Sequence, residues 1–309
     1  MITSSFTFTD PTGYRLFARK WMPNEDNPTA IVQIIHGLGE HCKRYERFAE
    51  CLTDHGFGVV SYDHRGHGET DPDQLGYIPD VNGFHQMVEN IHDFTIRVKQ
   101  EFPNQPRILF AHSMGSFLTQ RYMQLFDDQP AGIIYSGSNG KPSRLLPFGS
   151  LISSAIWRLK GADYKSSFIH NLTFKAFNTK FKPNQTDADW LSRDENEVDA
   201  YVNDPLCGFT SSVSFYKHFF EGLKSLHNHT PFADHDLSIP ILVVSGDKDP
   251  VSDMGKGIQN LEQIFKSNGV SDLTVKLYDG ARHELLNEIN RDDVMQDLKT
   301  WIDRVLNQR

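Results

Sequence analysis

Cysteine is scarce. Three residues in 309, Cys42, Cys51 and Cys207, cannot make a disulfide framework, and no C-x-x-C pair offers a structural zinc site. Long apolar runs are missing too: none approaches the roughly 18 residues that a membrane span needs. The start, "MITSSFTFTDPTGYRLFARKW", lacks the basic-then-apolar pattern of a signal peptide. A reducing, cytoplasmic setting is therefore expected. Positive charge is in deficit, with 31 Lys and Arg against 40 Asp and Glu and a formal net charge of -9. That balance argues against nucleic acid as a partner and against simple polybasic attraction to anionic lipid. Internal repeats and low-complexity tracts are also absent. What remains, 38% hydrophobic and 23% charged, is the composition of a folded chain with one large core, long enough for an inserted subdomain.

Period reading supplies the order of elements. "SFTFTD", "PTG" and "YRLFARKW" read as an alternating hairpin. "AIVQIIHG", "FGVVSYDHRGHG", "RILFA" and "AGIIYSGS" are short, β-branched apolar runs suited to buried parallel strands. Helical spacing separates them in "RYERFAECLTDHG", "FHQMVENIHDFTIRVKQEF" and "SFLTQRYMQLF". The rhythm breaks from about Lys141 to Asp236, then resumes with "IPILVVSG", a helix, "LTVKLYDG" and a last helix over "VMQDLKTWIDRVL". Alternation of this kind predicts an α/β sheet with right-handed crossovers, interrupted once by an insertion.

Between the third buried strand and its helix lies "A111-H-S-M-G115", one residue short of G-x-S-x-G. That motif exposes a nucleophilic serine on a strained turn, flanked by small residues where strand and helix backbones pass closely. Gly115 satisfies this, and Ala111 adds one methyl. On this architecture an acid and then a histidine must follow the serine in chain order. "VVSGDKDPVSD" supplies Asp247, Asp249 and Asp253 directly after a strand. "YDGARHELL" supplies His283, the only histidine after His235.

"HGLGEHCKRYERFA", "DHRGHG", "AHSMGS" and "YDGARHELLNE", with "RDENEVDAYVNDPL" in the interrupted region, resemble the α/β-hydrolase superfamily. Within it the chain resembles the monoacylglycerol lipase and lysophospholipase group, often filed with serine aminopeptidase-like hydrolases. The resemblance spans nearly the whole chain. It implies a single α/β-hydrolase domain over 1–309, its mostly parallel sheet flanked by helices, with a helical cap inserted at 141–236. It also implies Ser113 as nucleophile, His283 as base and, from "G246-D-K-D", Asp249 as acid. Asp247 is then a rival, and Asp253 begins the following helix. The backbone N–H groups of Leu38 and Met114 would form the oxyanion hole, and neither cofactor nor metal is implied. The departure is Ala111, where the group usually has glycine.

The substrate expectation rests on the insertion. In "LLPFGSLISSAIWRLKG" the residues Phe148, Leu151, Ile152, Ala155, Ile156 and Leu159 share one helical face, with Ser150, Ser153, Ser154 and Arg158 off it. That face, with Phe148, Leu151, Ile152 and Ile156 as substrate-binding candidates, is expected either to line an acyl tunnel and meet a lipid surface or simply to pack on the core. An apolar cap favours a substrate with an acyl chain, and the resemblance implies acyl esters of monoacylglycerol or lysophospholipid type. An aminopeptidase, which would need acids such as Asp189, Asp194, Glu195 and Glu197 to converge, a small-ester esterase and a silent binding module are the alternatives. His64 and His67 are read as structural, His36 as shaping the oxyanion loop, His112 as outside the proton relay, and "HNHTPFADH" as a solvated loop.

Overall fold

The computed structural model describes residues 1–24, 27–79, 82–141, 146–228 and 238–308. Alternation in the first segment produces the hairpin of β1 (Ile2–Thr9) and β2 (Arg15–Met22), paired antiparallel from Ile2↔Met22 to Thr9↔Arg15. The apolar runs become β3 (Ile31–Ile35), β4 (Gly58–Tyr62), β5 (Arg107–His112), β6 (Gly132–Ser136) and β7 (Ile241–Gly246), all wholly buried. A less buried β8 (Leu273–Tyr278) closes the edge. The order is β1-β2-β4-β3-β5-β6-β7-β8, parallel from β4 to β8. After β3 the chain crosses to β4 on one side and then returns to β5 on the other. The crevice beyond the carboxyl ends of β3 and β5 is therefore the sheet's topological switch point, the place where such folds bind ligands.

Helices cover both faces. Apolar residues of α1 (Glu46–Thr53) and α10 (Arg291–Asn307) pack on one, with Val32 and Ile34 of β3. Those of α2 (Gly83–Glu101), α3 (Met114–Leu125) and α9 (Lys256–Ser267) pack on the other, with Ile31 and Ile35. The two-residue period of a strand thus divides β3 between two cores. This is the α/β-hydrolase architecture. Between β6 and β7 run α4 (Leu146–Lys160), α5 (Ser167–His170), α6 (Ala176–Asn178), α7 (Glu195–Asn203) and α8 (Val213–Asn228). The "HNHTPFADH" run lies outside the described residues from position 229 onward.

On α4 the apolar stripe and the buried stripe do not coincide. Leu146, Gly149 and Ser153 are buried, whereas Phe148, Leu151 and Leu159 are 62%, 69% and 82% exposed. Ile152 and Ile156 are half-buried against the core. The cause is close packing on α8: a methyl on Gly149 would come within 2.9 Å of the Phe220 ring. Ser153 tolerates burial because its hydroxyl donates to the Ser150 carbonyl at 3.0 Å. Small residues set the approach of the two helices, so the larger apolar side chains are turned away from the contact.

A buried histidine trio sits beneath the switch point. His36 donates from Nδ1 to the Gly37 carbonyl at 2.8 Å and accepts the His64 N–H at Nε2, 3.0 Å away. His64 donates back to the His36 carbonyl at 3.2 Å, and His67 donates to the Arg65 carbonyl at 2.9 Å. Burial holds all three below the usual histidine range, His67 at about 3. The unfolded chain therefore binds these protons near pH 6.5 while the folded chain does not. Each such group costs up to about 1.4 kcal/mol of stability per pH unit as pH falls below 6.5. His283, shifted upward, offsets part of one group. The unfolding midpoint is expected to drop between pH 6.5 and 4.5, before most carboxylates titrate, and to drop less in His67→Phe, by the share of one of the three groups, if the cavity admits the ring. A flat denaturation profile over that window would contradict this account.

Candidate active site

β5 ends at His112 and α3 begins at Met114, so Ser113 alone makes the turn. Its backbone, φ 50° and ψ -119°, is one that side chains rarely adopt. The Ser113 N–H donates to the Ser136 carbonyl at 2.9 Å, and its own carbonyl accepts from the Ser116 N–H at 2.9 Å and the Ser116 hydroxyl at 2.6 Å. The small-residue requirement is unequal on the two sides. A methyl on Gly115 would lie 2.2 Å from the Ile35 carbonyl oxygen. The methyl of Ala111, between Ile35 and Tyr135 in the sheet, is wholly buried in the hydrophobic core.

Of the three aspartates after β7, Asp249 meets the histidine. Its Oδ1 accepts from His283 Nδ1 at 3.0 Å and from the Val251 N–H at 2.8 Å, and its Oδ2 accepts the Ser245 hydroxyl at 3.1 Å. Asp247 instead accepts the Gly280 N–H at 2.8 Å and pairs with Lys248. Asp253 is exposed, 3.9 Å from Lys180, and precedes α9. Burial opposes charge on His283, but the Asp249 carboxylate and its hydrogen bond, helped by Glu284 and Glu40, hold its pKa above the usual value. The rings of His112 and Trp190 lie 4.7 and 5.0 Å from it. His112 stays neutral near the site, pushed down to about 4 chiefly by burial.

Ser113, Leu38, Met114 and His283 line one cavity of about 570 Å³. Nδ1 of His283 is taken by Asp249, which leaves Nε2 for this space. The Ser113 hydroxyl has no hydrogen-bond partner among the described residues, a relaxed state common before substrate arrives. Among those residues no protein acceptor takes the N–H of Leu38 or Met114, whereas the Gly37 N–H donates to Glu40 at 2.5 Å. Two unspent donors thus flank the serine.

The walls are apolar, but they are not the expected ones. Phe148, Leu151, Ile152 and Ile156 do not line the cavity; α4 contributes Leu146 and Gly149. Packing on α8, as above, rotates the stripe away. Phe174, Phe177, Trp190, Phe219 and Phe220, all from the insertion, line the cavity together with Phe117 of α3. The aromatic richness of "FIHNLTFKAFNTKF" signals part of this wall; nothing in the sequence marks Trp190. The acids of the insertion do not converge. Asp189 accepts the Gln185 and Thr186 N–H groups, Asp194 pairs with Arg291, Glu195 with Gln185 and Glu197 with Arg47. One donor set suited to a metal gathers among the described residues, His41, Asp204 and Cys207, with ligand atoms within 4.8 Å of one another. His41 and Asp204 already pair at 2.9 Å, and burial drives the Cys207 thiol far up.

Comparison with known proteins bears on family and fold. The family described as serine aminopeptidase, S33, matches residues 26–290. Human monoglyceride lipase is 27% identical over 293 residues, 94% of this chain and 87% of that protein. The monoacylglycerol lipase of Mycolicibacterium smegmatis is 27% identical over 300 residues, 97% and 96% of the two chains. The crystal structure of a thermostable carboxyl esterase from Bacillus coagulans superposes with a TM-score of 0.88 at 25% identity, covering 99% of each chain. This chain is a monoglyceride lipase-like α/β-hydrolase and belongs to the serine aminopeptidase S33 family.

Proposed function

We propose that the chain is a serine carboxylic-ester hydrolase acting on acyl esters of monoacylglycerol or lysophospholipid type. In this reading His283 Nε2 takes the Ser113 proton as Oγ attacks the ester carbonyl. The oxyanion forms against the N–H groups of Leu38 and Met114, each worth about 3 kcal/mol to the transition state. The proton passes to the leaving alcohol, an acyl-Ser113 ester remains, and water activated by His283 releases the carboxylate. Asp249 keeps the imidazole oriented and stabilises its charged form.

The observation that carries this reading is that His283, which donates a hydrogen bond to Asp249, lines the same cavity as the positive-φ Ser113. Residues 141–236 are read as its cap, since Leu146, Phe174, Trp190, Phe219 and Phe220 of this stretch line the space together with Leu38, Ser113 and His283 of the core. The apolar lining favours an acyl chain over a peptide, and Asp189, Asp194, Glu195 and Glu197, each engaged elsewhere, do not gather to receive a substrate amine. Exposed Phe148, Leu151 and Leu159 on α4 support contact with the lipid surface that holds such substrates. With p-nitrophenyl esters from acetate to palmitate, kcat/KM is expected to rise at least about 10-fold from acetate toward medium and long chains, since each buried CH₂ contributes about 0.8 kcal/mol. A profile confined to acetate would favour a small-ester esterase, and turnover of aminoacyl amides would favour a peptidase.

A further inference from the structure

We propose that Arg44 is a positioning residue that couples the oxyanion loop to the histidine loop; the inference rests on the reading of Ser113, His283 and Asp249 as the reacting set. Glu40 Oε1 accepts the Gly37 N–H at 2.5 Å and the Tyr45 hydroxyl at 2.9 Å. That bond fixes the Gly37 peptide and leaves the next N–H, of Leu38, for the cavity. Glu284 is the neighbour of His283 in the chain. Arg44 joins the two: Nη1 and Nη2 donate to the two Glu284 oxygens at 2.6 and 2.8 Å, and Nη1 also donates to Glu40 at 3.2 Å.

The cluster is buried, with side-chain exposures of 11% for Arg44, 5% for Glu40 and 7% for Glu284. Tyr201 lies under the guanidinium, 4.9 Å from ring centre to Cζ. Space is tight at the other end as well. A methyl on Gly37 would meet Glu40 Oε1 at 2.7 Å and Ser113 Cβ at 3.1 Å, so Gly37 is packed tightly between Glu40 and the serine. Two buried carboxylates this near a developing oxyanion would repel it unless a cation is shared between them. Only a planar fork meets Glu284 in two bonds while reaching Glu40; an ammonium cannot. The Arg44 fork therefore holds base and oxyanion donor in one register.

The test measures butyrate ester hydrolysis, normalised to active sites titrated with a fluorophosphonate. Arg44→Lys is expected to fold, to lose about 10- to 100-fold in kcat, and to keep KM within about 2-fold, the signature of a misplaced transition-state contact. Glu40→Ala is expected to lose more kcat than Glu40→Gln, whose amide oxygen can still accept the Gly37 N–H. Charged or titratable groups facing His283 are Asp249, Glu284, Glu40 and His112. Glu284→Gln removes one negative charge from that set, so the acid limb of kcat/KM should move to lower pH. A purely structural cluster would lower the unfolding temperature in these variants and leave kcat per titrated site and the acid limb unchanged; that result overturns the proposal. A wild-type protein that neither hydrolyses the ester nor reacts with the fluorophosphonate would remove the reading of the site, and this inference with it.

Discussion

Ser113→Ala is expected to lower ester-hydrolysis kcat on the order of 10⁶-fold while leaving the fold intact. The size follows from the nucleophile's place in the chemistry: without Oγ no acyl-enzyme forms, and only the oxyanion donors and binding remain. Stability should hardly change, because the hydroxyl has no partner among the described residues. Alanine also keeps the Cβ that the φ 50° turn already accommodates. Initial rates on a medium-chain ester, with circular dichroism melts of both proteins, check both halves. Residual activity within about 10-fold of wild type would exclude Ser113 as the nucleophile. An unfolded variant would show that the turn itself depends on the hydroxyl.

The second large effect separates the two small residues of the motif. Gly115→Ala places a methyl 2.2 Å from the Ile35 carbonyl oxygen and 2.6 Å from that of His36, both backbone atoms that cannot step aside. Strand and helix must part, at a cost of about 3 kcal/mol or more. The same movement carries Ser113 away from Leu38, so kcat should fall about 100-fold, the scale of a 1 Å misplacement. Ala111→Gly is the counterpart. It removes one buried methyl and should cost about 1 kcal/mol in stability with little change in kcat. Thermal melts and kcat for the pair decide the matter. Equal effects at both positions would mean that the motif's two glycine sites are constrained alike, contrary to the contacts observed.

Much of this was legible along the chain. Five mostly apolar runs announced buried strands because a strand covered on both faces reads as a near-continuous apolar run rather than an alternation. The hairpin announced itself by alternation. Chain order then selected His283, and its bond to Asp249 places that pair side by side. The α4 face was not legible. Periodicity records which side chains are apolar; it does not record that Gly149 and Ser153 would let α8 approach. Trp190 above His283, and Arg44 bound to Glu284 across 240 positions of sequence, carry no local signal at all.

The sequence by itself determined the order of strands and helices, the strained serine turn and the succession of serine, acid and histidine. These follow from local patterns, spacing and the small set of connections a parallel sheet permits. The tertiary structure decided which aspartate meets His283, which side of α4 faces solvent, which aromatics roof the cavity and which charges share Arg44. Each of these is a contact between segments far apart in the chain, set by packing and by the pairing of buried charge, and neither is written in any one stretch of residues.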